Sequence, residues 1–364
     1  MAVVKRLRSP WVMDGVLKEV LPRFCRDPGD VTAAPVGHGN INDTYIVTTT
    51  AEKFILQRIS ALVFPEPLHV VANFQKIADH LEHKTAAIAP WWQFARVVNT
   101  VRGDSFYCDE AGGIWRAQTH LDYLSVRLLA DSRQAREVGR ALGIFHLLVA
   151  DMDCRGLHDP LPGFHNLPQY LSRFDSIRSI ECSMTESISY CLAAVEKQRE
   201  NAAILERSRE DGILVVQPVH GDPKIDNFVF NGAGDGVGLI DMDTVSPGLL
   251  HYDIGDCLRS CCNRSGESGA GNVHFDMEIC RAVLAGYLHA AGVLLSSAAR
   301  DHIFDAVLLL TFELGLRFFT DHLMGDSYFK VSCRGENLQR AVIQFRLAEE
   351  IEKLEIQIRD AAEI

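Results

Sequence analysis

The residues that could do chemistry lie in two polar stretches, and the second of them directly follows a short apolar segment. The first stretch, residues 220–227, contains Asp222 and Asn227, and the second begins at Asp241, directly after the segment 237–240. Phosphoryl transfer needs a carboxylate that takes up the proton of an acceptor hydroxyl. It also needs amide and carboxylate oxygens that hold a divalent cation against phosphates. Asp222 can serve as the base, and Asn227 and Asp241 can serve as the ligands.

The spacing within these stretches supports this interpretation. Asp222 and Asn227 are five positions apart, as are the base and the metal-binding Asn in the catalytic loop of protein kinases. Lys224 follows the base by two positions, where its charge can offset that of the transferred phosphate. Asp243 either binds a second metal ion or braces the loop.

One neighbouring residue is assigned a structural role. We expect His220 to brace the loop by bonding nearby backbone. Asp253 follows Asp241 by only twelve positions. Protein kinases place a long activation segment here, which docks a peptide, and this chain has no room for one. The acceptor is therefore expected to be a small molecule.

Hydrophobic patterns predict the elements that position these residues. In the first part, strands are predicted at 31–36, 44–49, 53–59, 94–99, 104–108 and 114–119, with a helix from about Leu68 to Lys84. From about residue 121 the period becomes helical, with short strands at 213–216, 228–230 and 237–240, and with long helices at 185–207 and from about Leu338 to Ala361. The predicted lobes are 1–120, which binds nucleotide, and 121–364, which holds the catalytic and acceptor residues.

These residues resemble the aminoglycoside phosphotransferase and choline kinase superfamily, and within it most of all the N-acetylhexosamine 1-kinases. The narrower likeness lies in segments 37–45, 54–59 and 313–328, and matching segments extend from about residue 35 to about residue 355. One departure is Asn40, where we expect histidine in the sugar 1-kinases. The resemblance also implies that a helix starts near Asp253, with Asp253 as its N-cap. The expected fold is α+β, a bilobal protein-kinase-like fold with a small β-rich N-terminal lobe and a larger, mainly helical C-terminal lobe.

In this interpretation the turn with Gly37 and Gly39 brings backbone amides to the ATP phosphates, since residues without bulky side chains allow a close approach. An ordinary hairpin turn is the alternative. Asn42 and Thr44 either contact the nucleotide or fix this loop through turn hydrogen bonds.

The third strand is unusual for a kinase. Protein kinases place a lysine there, whereas this chain has Gln57 followed by Arg58. Strand alternation puts these two side chains on opposite faces, so only one of them can face the nucleotide.

The acceptor residues are implied by the resemblance, which places Arg317 and Tyr328 at a sugar, with Asp321 nearby. Arginine supplies planar donors that suit clustered hydroxyls, and tyrosine supplies an apolar face with a polar tip. The alternative is a surface ion pair, because Arg317 and Asp321 are four positions apart on a predicted helix.

Composition bounds the partners. The chain has 364 residues, with 48 acidic against 36 basic side chains, and its net charge of −12 argues against nucleic acid or anionic membrane as the main partner. The ten cysteines show no paired Cys-x-x-Cys spacing, and with no secretory signal found we expect reduced thiols in the cytoplasm.

The uncharged run 282–299 is expected to be a buried helix, broken near Gly292.

The sequence thus predicts an ATP-dependent, magnesium-dependent kinase that phosphorylates the anomeric hydroxyl of a free N-acetylhexosamine or related sugar. The alternatives are a kinase of an amino alcohol or amino sugar, and a catalytically silent nucleotide-binding protein.

Overall fold

The chain forms two compact units. The computed structural model describes residues 10–25, 31–36, 41–124, 126–178, 184–266 and 273–363. The first unit comprises Met1–Asp79 and Phe94–Asp122, and the second comprises His80–Gln93 and Tyr123–Ile364. A small sheet dominates the first unit and helices dominate the second, so the predicted fold class is confirmed.

The first unit is built on a six-stranded antiparallel sheet in the order β1-β2-β3-β6-β4, with β5 paired to β6. Its elements are α1 (Pro10–Phe24), β1 (Thr32–Pro35), β2 (Asp43–Thr48), β3 (Lys53–Arg58), α2 (Pro67–Ile88), β4 (Val97–Val98), β5 (Tyr107–Cys108) and β6 (Ile114–Thr119). Helix α2 begins in this unit and ends in the second one.

Alternation along the strands gives this sheet its core. Tyr45 and Val47 on β2 lie opposite Leu56 and Phe54 on β3, and all four side chains are buried. Because successive residues point to opposite faces, these four share one side of the sheet, where they pack with residues of α1. The intervening residues of β3 are left for the other face.

The second unit is mainly helical. Its elements are α3 (Ser132–Val149), α4 (Leu167–Ile177), α5 (Glu186–Gln198), α6 (Ile204–Glu210), β7 (Val216–Val219), β8 (Phe228–Phe230), β9 (Gly236–Leu239), β10 (Ser246–Leu249), α7 (Leu250–Cys262), α8 (Met277–Ala291), α9 (Ser297–Arg300), α10 (Ile303–Leu323), α11 (Glu336–Lys353) and α12 (Glu355–Ala362). The strands form two antiparallel pairs, β7 with β10 and β8 with β9.

Two sets of helix contacts form the centre of this unit. Helix α10 packs against α7 and α11, and α3 packs against α8. In the second contact the backbones approach closely: a Cβ added at Gly139 would lie 1.8 Å from the carbonyl oxygen of Val283, and one at Gly286 would lie 2.1 Å from that of Arg136. Glycine at both positions is what lets α8 lie this close to α3.

Helix α8 with the 3-10 turn after it, Met277–Leu294, is long and apolar enough to cross a membrane, by length and composition alone. In this structure α8 packs against α3 as a core helix, and the chain leaves α-helical geometry at Gly292. The prediction of a helix that is broken near Gly292 is confirmed.

Two predicted long helices are wrong as single helices. The segment 185–207 divides into α5 and α6, and in the turn between them the Asn201 amide donates to the Gln198 side-chain oxygen at 3.2 Å. The last helix breaks at Leu354: α11 packs on α10 and α5, whereas α12 packs on α8 as well as on α10.

Candidate active site in the helical unit

The turn that follows β7 carries the predicted catalytic loop. Gly221 lies in this turn with φ of 85°, in the left-handed region that favours glycine. A Cβ at this position would lie 2.7 Å from the carbonyl oxygen of Thr244, whose hydroxyl donates to the His220 carbonyl at 2.8 Å. The turn is therefore fixed both by its own backbone conformation and by the segment after β9.

The carboxylate of Asp253 holds the same turn from the other side. It accepts the backbone N–H of His220 at 2.7 Å and that of Gly221 at 2.8 Å. It also accepts from Nε2 of His146 at 2.9 Å, and Nδ1 of His146 lies 2.9 Å from the Tyr287 hydroxyl. Burial by itself raises the pKa of Asp253, but the bond from His146 and the neighbouring backbone amides lower it overall, so the carboxylate stays charged.

Asp253 is not the N-cap that the sequence suggested. Helix α7 begins at Leu250, with Leu249 in the capping position, so Asp253 lies inside its first turn. Its side chain bonds the catalytic loop and not its own helix. The sequence gives no sign of its contact with His146, which lies 107 positions earlier.

His220 braces the loop through its ring, as predicted. Its Nε2 donates to the Ile240 carbonyl at 2.9 Å, and its Nδ1 accepts the backbone N–H of Asp222 at 3.3 Å. Burial lowers the pKa of His220, which matches a neutral ring that donates on one side and accepts on the other.

Three residues of the loop converge. The Asp222 side chain is 28% exposed, and its Oδ2 lies 2.5 Å from Nζ of Lys224. Asn227 is buried, and its amide nitrogen donates to the Asp222 carbonyl oxygen at 2.8 Å. Since the nitrogen is engaged there, the amide oxygen of Asn227 is the atom that a cation would take.

Asp241 and Asp243 differ in exposure. Asp241 is exposed and has φ of 66°, at the point where β9 gives way to a 3-10 turn, whereas Asp243 is 3% exposed within that turn. The backbone N–H of Ile240 donates to the Asn227 carbonyl at 2.9 Å and ties the two polar stretches together. Asp241 thus has the accessibility of a metal ligand, and the burial of Asp243 favours a bracing role.

No group of three or more His, Cys, Asp and Glu residues that could hold a metal ion occurs in the part of the chain that the structure describes. Asn227 and Asp241 fit a different kind of site, in which oxygen ligands from the protein are few and substrate phosphates complete the coordination.

In the sheet unit, Gln57 and Arg58 have different partners. Gln57 donates to the Thr44 hydroxyl at 3.2 Å and accepts from Arg116 on β6 at 2.8 and 3.2 Å. Arg58 lies on the opposite face, 3.7 Å from the Asp109 carboxylate. The bond from Trp115 and backbone amides, with Arg58 nearby, lower the pKa of Asp109 against the raising effect of burial.

Arg116 is the residue of this face that the sequence analysis missed. It lies directly opposite Gln57 in the β3–β6 register, is buried, and stacks over the Phe74 ring at 4.7 Å. The face that carries Gln57 therefore has a cation on the adjacent strand. Strand pairing was the missing information, since residues 57 and 116 are far apart in sequence.

The loop before β2 lies partly outside the described residues. Gly37, Gly39 and Asn40 are among those not described. Asn42 is described, and its side-chain oxygen accepts the backbone N–H of Ser60 at 2.9 Å, which is a loop-fixing bond.

Arg317 lies on α10 and is surrounded by aromatic rings from other parts of the chain. Its guanidinium carbon lies 5.0 Å from the centre of the Phe164 ring, 5.4 Å from that of Tyr170 and 5.5 Å from that of Phe329. It hydrogen-bonds Tyr328, and its Nη1 lies 3.9 Å from Glu313. Only 15% of the Arg317 side chain is exposed, so the guanidinium is largely enclosed by these groups. Burial raises the pKa of Tyr170 to about 12, so its hydroxyl stays protonated.

The interpretation of Arg317 and Asp321 as a surface ion pair is wrong. Asp321 is 4% exposed and accepts the backbone N–H groups of Ser327, Tyr328 and Phe329 at 2.8–3.0 Å. It also accepts from the Asn337 amide at 2.9 Å. Asp321 thus shapes the loop after α10 and sets the position of Tyr328 beside Arg317.

The fold and this loop define a phosphotransferase with a kinase-like fold, and comparison with known proteins identifies the family. The model of APH, the phosphotransferase enzyme family, matches residues 32–300, and the chain belongs to this family. It is therefore assigned to the phosphotransferases.

Solved structures with the same fold share little sequence with this chain. An aminoglycoside phosphotransferase from Alicyclobacillus acidocaldarius is 14% identical, with 100% of this chain and 99% of that chain covered and a TM-score of 0.66. A choline kinase from Cryptosporidium parvum is 13% identical, with 95% and 96% covered and a TM-score of 0.62. An amicoumacin kinase in complex with AMP-PNP and Ca2+ is 17% identical, with 93% of each chain covered and a TM-score of 0.61.

Replacing Gly221 by alanine is expected to damage the site through two effects. The left-handed conformation costs a non-glycine residue about 1–2 kcal/mol, and the contact with Thr244 adds about 1–3 kcal/mol of overpacking. Turnover should fall along with the melting temperature. Gly212→Ala is the matched control, because Gly212 has φ of 74° but a Cβ there meets nothing within 4 Å. Equal effects in kinase assays and thermal melts of both variants would contradict the tight fit at Gly221.

Proposed function

We propose that this protein is an ATP- and magnesium-dependent sugar kinase, which phosphorylates the anomeric hydroxyl of a free N-acetylhexosamine or a related sugar to give a sugar 1-phosphate. The observation that carries the choice of acceptor is the position of Arg317. Arg317 is a cation among three aromatic rings with 15% of its side chain exposed, and contacts through Glu313 and His165 connect it to Gly221 of the loop proposed to be catalytic.

Asp222 is proposed as the base. Its carboxylate takes the proton of the acceptor hydroxyl as the acceptor oxygen bonds the γ-phosphorus, the bond from that phosphorus to the β,γ-bridging oxygen breaks, and ADP leaves. An anomeric hydroxyl is more acidic than an ordinary alcohol, which lightens this task. Lys224 at 2.5 Å from Asp222 offsets charge on the migrating phosphoryl group.

Asn227 and Asp241 are proposed to hold magnesium through the amide oxygen of the former and the carboxylate of the latter. When bound, the ion neutralises charge on the nucleotide phosphates. We assign bracing of the loop to Asp243, because it is buried.

The sheet unit is proposed to bind ATP. Gly37 and Gly39 supply backbone amides, Asn42 and Thr44 fix the loop or contact the nucleotide, and Gln57 rather than Arg58 faces the nucleotide. Gln57 is supported by its hydrogen bond to Arg116, which would bring a cation to the same face of the sheet. Arg58 lies on the opposite face, where it is close to the Asp109 carboxylate.

The acceptor pocket is proposed to contain Arg317 and Tyr328, with Asp321 holding the loop that carries the tyrosine. A guanidinium offers several coplanar donors, and these match the closely spaced hydroxyl and amide oxygens of an N-acetylhexosamine. The rings around Arg317 exclude water from these bonds and orient its fork.

A kinase of amino alcohols or amino sugars is the second candidate, favoured by fold neighbours such as the choline kinase. A cationic acceptor needs aromatic rings and carboxylates that are open to it. In this chain the rings Phe164, Tyr170 and Phe329 already stack on Arg317, whose charge would repel such an acceptor. A silent nucleotide-binding protein would have no need for the joined Asp222, Asn227 and Asp241.

The proposed setting is the cytoplasm, with ATP and a small sugar as partners. All nine described cysteines are free thiols, and seven of them are buried or partly buried, which fits a reducing compartment.

A panel of acceptors tests the proposal. Purified protein with ATP and magnesium is offered N-acetylglucosamine, N-acetylgalactosamine, choline, ethanolamine and kanamycin, and ADP release is measured. We expect turnover with a sugar, and phosphorus NMR should place the phosphate on the anomeric carbon. Turnover confined to the amino alcohols or to kanamycin would overturn the sugar assignment.

Asp222→Asn should reduce turnover by about two or more orders of magnitude, the scale of a lost general base. ATP binding should be retained, because the change is nearly isosteric. Asp226→Asn is the control, since Asp226 is an exposed carboxylate in the same loop. Single-turnover assays together with nucleotide titrations check both variants, and unchanged turnover in Asp222→Asn would remove this residue from the mechanism.

Asn227→Ala and Asp241→Ala should each raise the magnesium concentration that gives half-maximal activity, because each removes an oxygen ligand from a site with few protein ligands. Titration of activity with magnesium at fixed ATP measures this, with Asp226→Ala as the control. A metal dependence like that of the parent in both variants would refute these two ligands.

Arg317→Ala should raise the KM for the sugar tenfold or more and leave the KM for ATP nearly unchanged, since a charged hydrogen bond contributes about 1.5–3 kcal/mol. Arg346→Ala is the control, because Arg346 is exposed and also stacks on a ring, that of Tyr190 at 5.9 Å. Steady-state kinetics with both substrates decide the matter. Equal sugar KM values in variant and parent would leave the kinase and reject this pocket.

A further inference from the structure

His165 touches the catalytic loop from a strained position. It has φ of 62°, which is uncommon for a residue other than glycine, and it is buried. Its Nε2 donates to the carbonyl oxygen of Gly221 at 2.8 Å, one residue before the proposed base. A non-glycine residue in this conformation costs free energy and tends to persist where it has a role.

Glu313 lies on the other side of the His165 ring. Its Oε1 is 3.2 Å from Nδ1 of His165, and the same oxygen is 3.9 Å from Nη1 of Arg317. A backbone carbonyl and a carboxylate both accept, so the ring satisfies both only when both of its nitrogens carry protons. Burial alone lowers the pKa of His165, but the charge and hydrogen bond of Glu313 raise it overall.

These contacts form one continuous line through the helical unit. It runs from the Gly221 carbonyl through His165 and Glu313 to Arg317, with positive, negative and positive side chains in turn. Glu313 is only 2% exposed, and its other oxygen, Oε2, has no hydrogen-bond partner among the described residues. Apolar side chains of similar volume stabilise a fold at least as well as such a buried charge network.

We propose that His165 and Glu313 are positioning residues that join the acceptor pocket to the catalytic loop. Glu313 orients the guanidinium of Arg317 toward the acceptor, and His165 holds the Gly221 carbonyl and thereby places Asp222. The part that concerns the acceptor rests on the proposed function, whereas the part that concerns the loop applies to any acceptor.

Two substitutions at His165 separate its two bonds. Asparagine tolerates the left-handed conformation, and its amide reaches the Nδ1 position, so His165→Asn keeps the bond to Glu313 and loses the one to Gly221. Glutamine reaches the Nε2 position, so His165→Gln keeps the bond to Gly221. We expect kcat to fall roughly tenfold or more in His165→Asn, the scale of one lost buried hydrogen bond to a charged group, and to fall much less in His165→Gln.

Glu313→Gln tests the other end of the line. It is expected to raise the KM for the acceptor roughly tenfold and to leave the KM for ATP unchanged, since Arg317 loses its carboxylate while the nucleotide site is untouched. In the Arg317→Ala background the same change should have little further effect on the acceptor KM. That non-additivity measures the coupling directly.

Matched controls separate positioning from general stability. His251→Asn removes a buried histidine whose Nε2 donates to the Ala299 carbonyl at 2.7 Å, and Glu137→Gln neutralises a carboxylate that pairs with Arg140. Both control variants should change the melting temperature, and neither should change kcat or the acceptor KM selectively. Glutamine and asparagine variants of His165 that lose the same kcat, or Glu313→Gln with an unchanged acceptor KM, would overturn the proposal.

The readouts keep this proposal distinct from the sugar assignment. All variants are measured with the panel acceptor that the parent protein uses best, and ADP release without any acceptor is recorded as well. If the parent uses only an amino alcohol, the proposed function fails. The His165 prediction is then still judged on kcat with that acceptor, and a loss in His165→Asn that His165→Gln spares supports the loop coupling.

Discussion

The catalytic loop depends on one buried anion, the carboxylate of Asp253. A charge fully removed from water is costly unless every lone pair that faces the protein finds a donor. Here the donors are the backbone amides of His220 and Gly221 and the ring of His146. All of these hydrogen bonds form only when α3, α7 and the turn after β7 lie in one arrangement. The need to pair the buried charge therefore also fixes the geometry of the loop.

The same principle is repeated on α10, with the opposite charge at its centre. Arg317 lies among aromatic rings and is balanced by Glu313, while Asp321 collects three backbone amides of the loop that follows the helix. One helix therefore carries the cation, its counter-charge and the anchor of the neighbouring tyrosine. Because α10 packs on α7, which also holds Asp253, the pocket and the catalytic loop are set by the same pair of helices.

Local patterns predicted much of the fold because they report local physics. The strands 44–49 and 53–59 alternate in hydrophobicity, and the sheet buries the apolar face that this alternation implies. The helices at 185–207 and near the C-terminus were predicted as unbroken because hydrophobic period alone does not register that successive segments pack on different partners. The breaks near Asn201 and at Leu354 are set by tertiary packing.

The sequence by itself determined the kinds of groups in the site, since the order and spacing of Asp222, Lys224, Asn227 and Asp241 lie within one short segment of chain. It also determined the separation of a small sheet from a large helical unit. Only the tertiary structure decided that Asp253 anchors the loop, that Arg116 pairs with Gln57, and that Arg317 faces Glu313 rather than Asp321. The physical reason is that the first two contacts join residues on separate elements, and that Glu313 and Asp321 are both four positions from Arg317, so spacing alone does not choose between them.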